Sequence, residues 1–125
     1  MELIYKELSY EIIGVLYEVF NELGYGYQEK YYQKATAIKL TKRKLSYKEQ
    51  VYVPIKFQEK HIGKYFLDFP IENKVVLEIK KNDKFFKSDI VQLFAYLKTT
   101  NLKLGLIANF TKSGVKIKRI VNLNP

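Results

Sequence analysis

The chain has 125 residues, of which 47% are hydrophobic and 28% charged, and its formal net charge is +9 at pH 7. This length and composition predict a single soluble domain over residues 1–125, and the absence of cysteine excludes disulfides, thiolate zinc sites and cysteine nucleophiles. No apolar run approaches the roughly 20 residues of a membrane span, while the excess of positive charge favours a polyanionic partner, above all nucleic acid.

The first third of the chain has helical periodicity. The first seven residues carry acids and lack the basic start and apolar middle of a signal peptide, which, with the absence of cysteine, predicts a cytoplasmic protein. An apolar stripe predicts a first helix over residues 6–23, ended by the glycines at 24 and 26. A second helix is predicted over residues 27–43. Three side chains are expected on its buried face: Tyr32, Ala35 and Ile38.

The middle of the chain changes to the two-residue period of β-strands. Strands are predicted over residues 51–57, 62–69 and 75–80, joined as a meander by turns at residues 58–61 and 72–73. Pro54 cannot donate to a ladder, so the first of these strands should lie at an edge or carry a bulge. The apolar start of the third strand indicates burial on both faces.

The last third begins with helical spacing over residues 84–99, where Ile90, Leu93, Phe94 and Leu97 are expected on one face. Strands are predicted over residues 102–109 and 115–121. The third strand, this helix and the fourth strand form a right-handed parallel crossover. The element order predicts an α/β fold, a three-layer α/β/α arrangement with a central mixed sheet of about five strands.

Three charged residues of the predicted sheet form the main candidate site. Side chains alternate along a strand, so Glu78 and Lys80 share a face, and a tight turn can bring Asp68 close to Glu78. Two adjacent carboxylates repel each other unless a positive group lies between them, and Mg²⁺, which prefers oxygen ligands, would relieve that repulsion. Glu29, near the start of the second helix, is a candidate for a further ligand. A metal-free salt-bridge cluster of the same residues is the structural alternative.

The chemistry that such a site supports is phosphodiester cleavage. A metal held by the carboxylates could bind a phosphodiester oxygen and stabilise the charge that builds up during an in-line displacement. Lys80 could hold or activate the attacking water, or stabilise the transition state.

Two motifs strengthen this hypothesis. The pattern Asp68…Glu78-Ile79-Lys80 resembles the signature of the PD-(D/E)xK nuclease superfamily, and residues 26–32 (GYQEKYY) resemble the motif of its GxxExxY subgroup. The resemblance extends over nearly the whole chain, although Leu67 stands where the superfamily's name has proline. It implies a restriction-endonuclease-like fold, with Mg²⁺ as cofactor and Mn²⁺ able to substitute. It also implies these roles: Asp68, Glu78 and the helix-borne Glu29 as metal ligands, and Lys80 as the catalytic lysine.

A third motif lies in the predicted third helix. Gln92 and Tyr96 are one helical turn apart, and residues 92–96 (QLFAY) look like the QxxxY motif of RecB-type nucleases. The resemblance implies that this face contacts the nucleic acid or orders the lysine. The structural alternative is a solvent-facing glutamine and a tyrosine at the core boundary.

The resemblance implies a metal-dependent nuclease that acts on nucleic acid in repair, recombination or defence. DNA is favoured over RNA as its substrate. The alternative is an inactive module that keeps the nuclease fold and binds nucleic acid or another protein. The eleven tyrosines and eight phenylalanines can stack on unpaired bases or serve as core and boundary residues. Analogy with small enzymes of the superfamily, such as Holliday-junction resolvases, implies a homodimer.

Overall fold

The computed structural model describes residues 4–123. Residues 1–3 and 124–125 lie outside the described residues. The predicted domain includes both segments, and the stretch compared with a signal peptide includes residues 1–3. The helices are α1 (Lys6–Leu23), α2 (Glu29–Lys42) and α3 (Lys87–Thr100). The strands are β1 (Val51–Phe57), β2 (Lys60–Leu67), β3 (Phe69–Ile71), β4 (Val75–Lys80), β5 (Leu104–Thr111) and β6 (Gly114–Val121). Within residues 4–123, no helix is long and apolar enough to cross a membrane.

A four-stranded sheet in the order β3-β4-β5-β6 forms the middle layer of the fold. It is mixed, because β4 and β5 are parallel whereas the two outer pairs are antiparallel. The helix α3 connects the two parallel strands, as the element order predicts. Both parallel strands are buried along almost their whole length, in agreement with their apolar runs.

Helices cover both faces of this sheet. On one face, α1 and α2 pack against side chains such as Leu77 and Ile79 of β4. On the other face, α3 packs against Val76 of the same strand and Ile107 of β5. The three-layer α/β/α arrangement is therefore confirmed, and the alternation along β4 decides which helix each side chain meets.

The predicted meander is divided into two sheets. Within the part of the chain that the structure describes, β1 and β2 pair only with each other, so the central sheet has four strands rather than about five. The chain leaves this hairpin at Asp68 and joins the main sheet as β3. The physical reason lies in the side chain of Asp68, whose Oδ2 accepts the N–H of Ile79 at 2.7 Å. That N–H is then unavailable to extend the β3–β4 ladder beyond the pair Phe69 and Leu77.

The hairpin agrees with the expectation for Pro54, since β1 is an edge strand and its register shifts between Ile55 and Lys56. The turn before β2 is shorter than predicted, because only Gln58 and Glu59 have positive φ angles and the strand resumes at Lys60.

Two apolar side chains predicted to be buried are exposed instead. Ile38 is 58% exposed, and Phe94 is 37% exposed. In α2 the buried positions include Thr36, whose hydroxyl donates to the carbonyl of Tyr32 at 2.8 Å and so can enter the core. A pattern built from apolar residues alone does not detect that position, and it therefore rotates the predicted buried face towards Ile38.

The close packing of α3 on β5 depends on Gly105. A Cβ at this position would lie 2.7 Å from Cδ2 and 2.9 Å from Cγ of Leu93, which is 2% exposed. We expect Gly105→Ala to lower the free energy of unfolding by about 1–3 kcal/mol, because the buried leucine must shift. Urea denaturation checks this, with Gly63→Ala as the matched control, since its Cβ would meet Ile55 at an ordinary 3.7 Å. Equal losses in the two variants would contradict the prediction.

Candidate active site

Asp68 lies at the break between β2 and β3, beside the middle of β4. Its backbone N–H donates to Oε1 of Glu78 at 3.3 Å, and its own Oδ2 accepts the N–H of Ile79. The two acidic residues are 6% and 9% exposed, respectively. The structure thus brings the two predicted acids into direct contact in a nearly buried position.

Two glutamines complete the surroundings of Asp68. Gln33 of α2 and Gln50, which precedes β1, each donate to Oδ1 of Asp68 at 3.1 Å. Gln33 also donates to Oε2 of Glu29 at 3.4 Å. Neither glutamine was predicted from the sequence. A signal existed for Gln33, which lies one helical turn after Glu29 and shares its face. For Gln50 there was no such signal, because its contact depends on the tertiary fold.

Glu29 lines the same groove as the acid pair and is linked to Asp68 by the side chain of Gln33. Within residues 4–123, no group of three histidine, cysteine, aspartate or glutamate side chains is placed to hold a metal ion. The three acids predicted as ligands are therefore not placed to bind one metal ion together. Asp68 and Glu78 still fit Mg²⁺, since this ion is commonly bound by one or two carboxylates and keeps several waters.

Burial governs the electrostatics of these acids. It raises the pKa of Glu78 to about 8, with a further contribution from the neighbouring Asp68 carboxylate. Burial also raises the pKa of Asp68, although the hydrogen bonds from Ile79 and Gln50 act in the opposite direction. Burial likewise raises the pKa of Glu29, opposed by the positive charge of Lys80. Two adjacent acids in this state favour either a shared proton or a bound cation.

Lys80 lies on the same face of β4 as Glu78, and its ion pair is with a residue not predicted from the sequence. Its Nζ is 3.9 Å from Oδ1 of Asp89, in the first turn of α3. Among the described residues, no ion pair within 4.0 Å joins Lys80 to Asp68 or Glu78. The metal-free salt-bridge cluster considered as an alternative is therefore not formed here.

Two cavities meet at Glu78 and Lys80. The larger is an open groove of about 470 Å³ between α2 and the base of the hairpin, with Lys30 and Lys34 in its wall. The smaller, of about 140 Å³, lies between the hairpin and α3. Phe66 lines both cavities together with Glu78 and Lys80. The site is therefore open to a ligand from two sides.

The two residues of the QxxxY motif have different environments. Gln92 lines the smaller cavity together with Lys80 and Asp89, so the structure brings it to the site. Tyr96 is half-buried against the core on the α3 side and is not among the residues that line either cavity. Burial raises the pKa of its phenol. Tyr96 thus packs against the core on the helix that carries Gln92.

The tyrosine of the GxxExxY pattern has a structural explanation. The hydroxyl of Tyr32 donates to the carbonyl of Gly24 at 2.5 Å, and its ring stacks on Phe110 with 4.3 Å between the centroids. Gly26 has a φ angle of 115°, which favours glycine. Together these contacts hold the loop before α2, so that the helix begins at Glu29 and presents it towards the groove.

Known proteins resemble this chain at the level of the superfamily. The family model described as the PD-(D/E)XK nuclease superfamily matches residues 6–120, which confirms the expected restriction-endonuclease-like fold. Membership of the GxxExxY subgroup stays a prediction. No protein of curated function matches the chain. Among solved structures, "Crystal structure of SSO0001" is 15% identical with a TM-score of 0.48, over 94% of this chain and 78% of that one.

The raised pKa of Glu78 couples folding to pH. An acid whose pKa is higher in the folded than in the unfolded state stabilises the fold most below its unfolded value, and this contribution is lost as pH rises. We therefore expect the melting temperature in EDTA to fall between pH 4.5 and about 8. The fall should be smaller in Glu78→Gln, and Glu59→Gln in the exposed hairpin turn serves as the control. An identical pH dependence in the Glu78→Gln protein would contradict this assignment.

Proposed function

The chain belongs to the PD-(D/E)XK nuclease superfamily, and we propose that it is a single nuclease-like domain that hydrolyses phosphodiester bonds of DNA with Mg²⁺, or Mn²⁺ in its place. One observation carries the proposal: a buried pair of acids, Asp68 and Glu78, opens onto a groove beside Lys80. Acids adjacent to a lysine in a water-accessible groove supply the groups that phosphodiester hydrolysis needs.

Asp68 and Glu78 would hold the metal ion. When bound there, Mg²⁺ would act as a Lewis acid on a phosphodiester oxygen. Asp68 is held by donors on both of its carboxylate oxygens, so its orientation is determined before any ligand binds. Glu29 would act from the second helix through Gln33, which contacts both Glu29 and Asp68.

Lys80 would act on the reacting phosphate. Negative charge builds up on the phosphoryl oxygens during in-line displacement, and a nearby ammonium group stabilises it or holds the attacking water. The Nζ of Lys80 lies 3.9 Å from Oδ1 of Asp89, and both residues line the smaller cavity. Gln92 would contact the nucleic acid or order Lys80 from the same cavity, and Tyr96 would position Gln92 through packing.

The positive charge of the chain supports a nucleic-acid substrate. Lys30 and Lys34 line the groove beside the acids, and the chain carries a net charge of +9. Such a surface attracts the phosphate backbone at long range, and its affinity for nucleic acid falls as the salt concentration rises. DNA is the substrate that we propose, in repair, recombination or defence. A homodimer is part of the proposal, and light scattering that shows only monomer at micromolar concentration would remove that part.

The site residues can be tested by cleavage assays on linear, nicked, branched and single-stranded DNA with Mg²⁺ or Mn²⁺, and with EDTA as the blank. We expect Glu78→Gln and Lys80→Ala each to lower the cleavage rate by about 10²-fold or more, because they remove interactions made in the transition state. DNA affinity should change far less. Lys103→Ala is the matched control, since Lys103 is an exposed lysine just before β5, at the opposite end of the sheet from Lys80.

Two results would overturn the proposal. Cleavage that persists unchanged in both site variants would show that this site is not the nuclease. Binding of DNA by the wild-type protein without cleavage of any substrate would favour the inactive nucleic-acid-binding module.

A further inference from the structure

The outer face of the β1–β2 hairpin carries two aromatic rings that are not part of the core. Tyr52 and Phe66 lie directly opposite each other in the ladder, and their ring centroids are 5.8 Å apart at an interplanar angle of 67°. Tyr52 is 49% exposed and Phe66 is 47% exposed. The other face of the hairpin packs inward through Val51, Val53 and Tyr65. The alternation of the strands therefore places this aromatic pair in solvent.

The rings are held in position before any ligand arrives. The hydroxyl of Tyr52 is 2.9 Å from Nε2 of His61, and the two rings lie nearly parallel, with 6.5 Å between their centroids. Phe66 is held against Tyr52 in an edge-to-face contact. Such an arrangement loses little conformational freedom when a planar ligand binds on it.

The aromatic pair is continuous with the candidate active site. Phe66 lines both cavities that meet at Glu78 and Lys80. On the same face of the hairpin, Lys64 follows as the next outward position of β2, opposite Pro54. Lys64, the aromatic pair and the acid pair thus follow one another in this order along a single surface.

We infer that Tyr52 and Phe66 stack on unpaired bases of single-stranded DNA, or of single-stranded branches, whose backbone then enters the groove at Lys80. This inference rests on the proposed function and specifies the substrate of that site. Every unpaired base offers a π-face to an aromatic side chain, whereas in a duplex the base faces are stacked on one another. The net charge of +9 and the lysines beside the rings suit the phosphates of such a strand.

The test measures binding in EDTA, without cleavage, by fluorescence anisotropy. The probes are a single-stranded oligothymidine, the same strand with a run of abasic sites, and a duplex of equal length. Phe66→Ala and Tyr52→Ala should each weaken binding of the oligothymidine by about 5- to 150-fold, the value of one base–aromatic stack. Binding of the abasic strand and the duplex should change by less than about twofold, since their phosphate contacts are kept.

The matched control is Phe57→Ala, because Phe57 is a 62% exposed aromatic at the far end of the same hairpin. It should leave oligothymidine binding unchanged. Phe66→Tyr keeps the ring and should retain binding, which separates stacking from damage to the fold. If an alanine variant fails to fold, the wild-type protein still decides: equal affinity for oligothymidine and the abasic strand overturns the inference.

Other results decide between stacking, dimerisation and the nuclease function. Equal weakening of all three probes in the alanine variants overturns the inference. So does a change from dimer to monomer in light scattering, without base-dependent loss, because the face would then bind a second copy of the chain. Base-dependent binding in a protein that cleaves nothing supports this inference while the proposed nuclease function fails. Cleavage that responds to Glu78→Gln in a protein without base-dependent binding supports the nuclease function and overturns this inference.

Discussion

The hydrogen bond from the backbone N–H of Ile79 to Oδ2 of Asp68 determines where the sheet ends and where the candidate site begins. Because a side chain takes this donor, the β3–β4 ladder stops, and the hairpin β1–β2 diverges from the central sheet. The space between the hairpin and α2 becomes the groove. The same bond holds Asp68 beside Glu78, so a single interaction shapes the cleft and orients one of its acids.

Two adjacent buried acids are unfavourable for folding unless donors, a proton or a cation compensate them. The structure compensates them unequally. Asp68 accepts from Ile79, Gln33 and Gln50, whereas Glu78 accepts from the backbone N–H of Asp68. Burial, with a further contribution from the Asp68 carboxylate, raises the pKa of Glu78 to about 8, and the charge of Lys80 and the hydrogen bond from Asp68 oppose this rise only in part. Strongly shifted acids in a cleft are typical of functional sites, and here the shift marks a position where a cation would be stabilising.

The α1–α2 loop and the start of α2 divide structural and chemical tasks between neighbouring residues. Tyr32 stacks on Phe110 and binds the carbonyl of Gly24, which holds the loop. Glu29 and Gln33 lie on the side of the helix that lines the groove. A motif tyrosine can therefore be needed for the position of its neighbours without touching a substrate.

The sequence by itself determined the element types, the two helix-covered faces and the shared face of Glu78 and Lys80, because periodicity and strand alternation are local properties. The superfamily resemblance rests on the same short segments. Only the tertiary structure decided that the hairpin separates from the sheet, and that Glu29 reaches Asp68 through Gln33. It also decided that Asp89 pairs with Lys80, and that Ile38 faces solvent while Thr36 is buried. Each of these depends on contacts between elements, or on hydrogen bonds that satisfy buried polar groups, which a local apolar pattern does not encode.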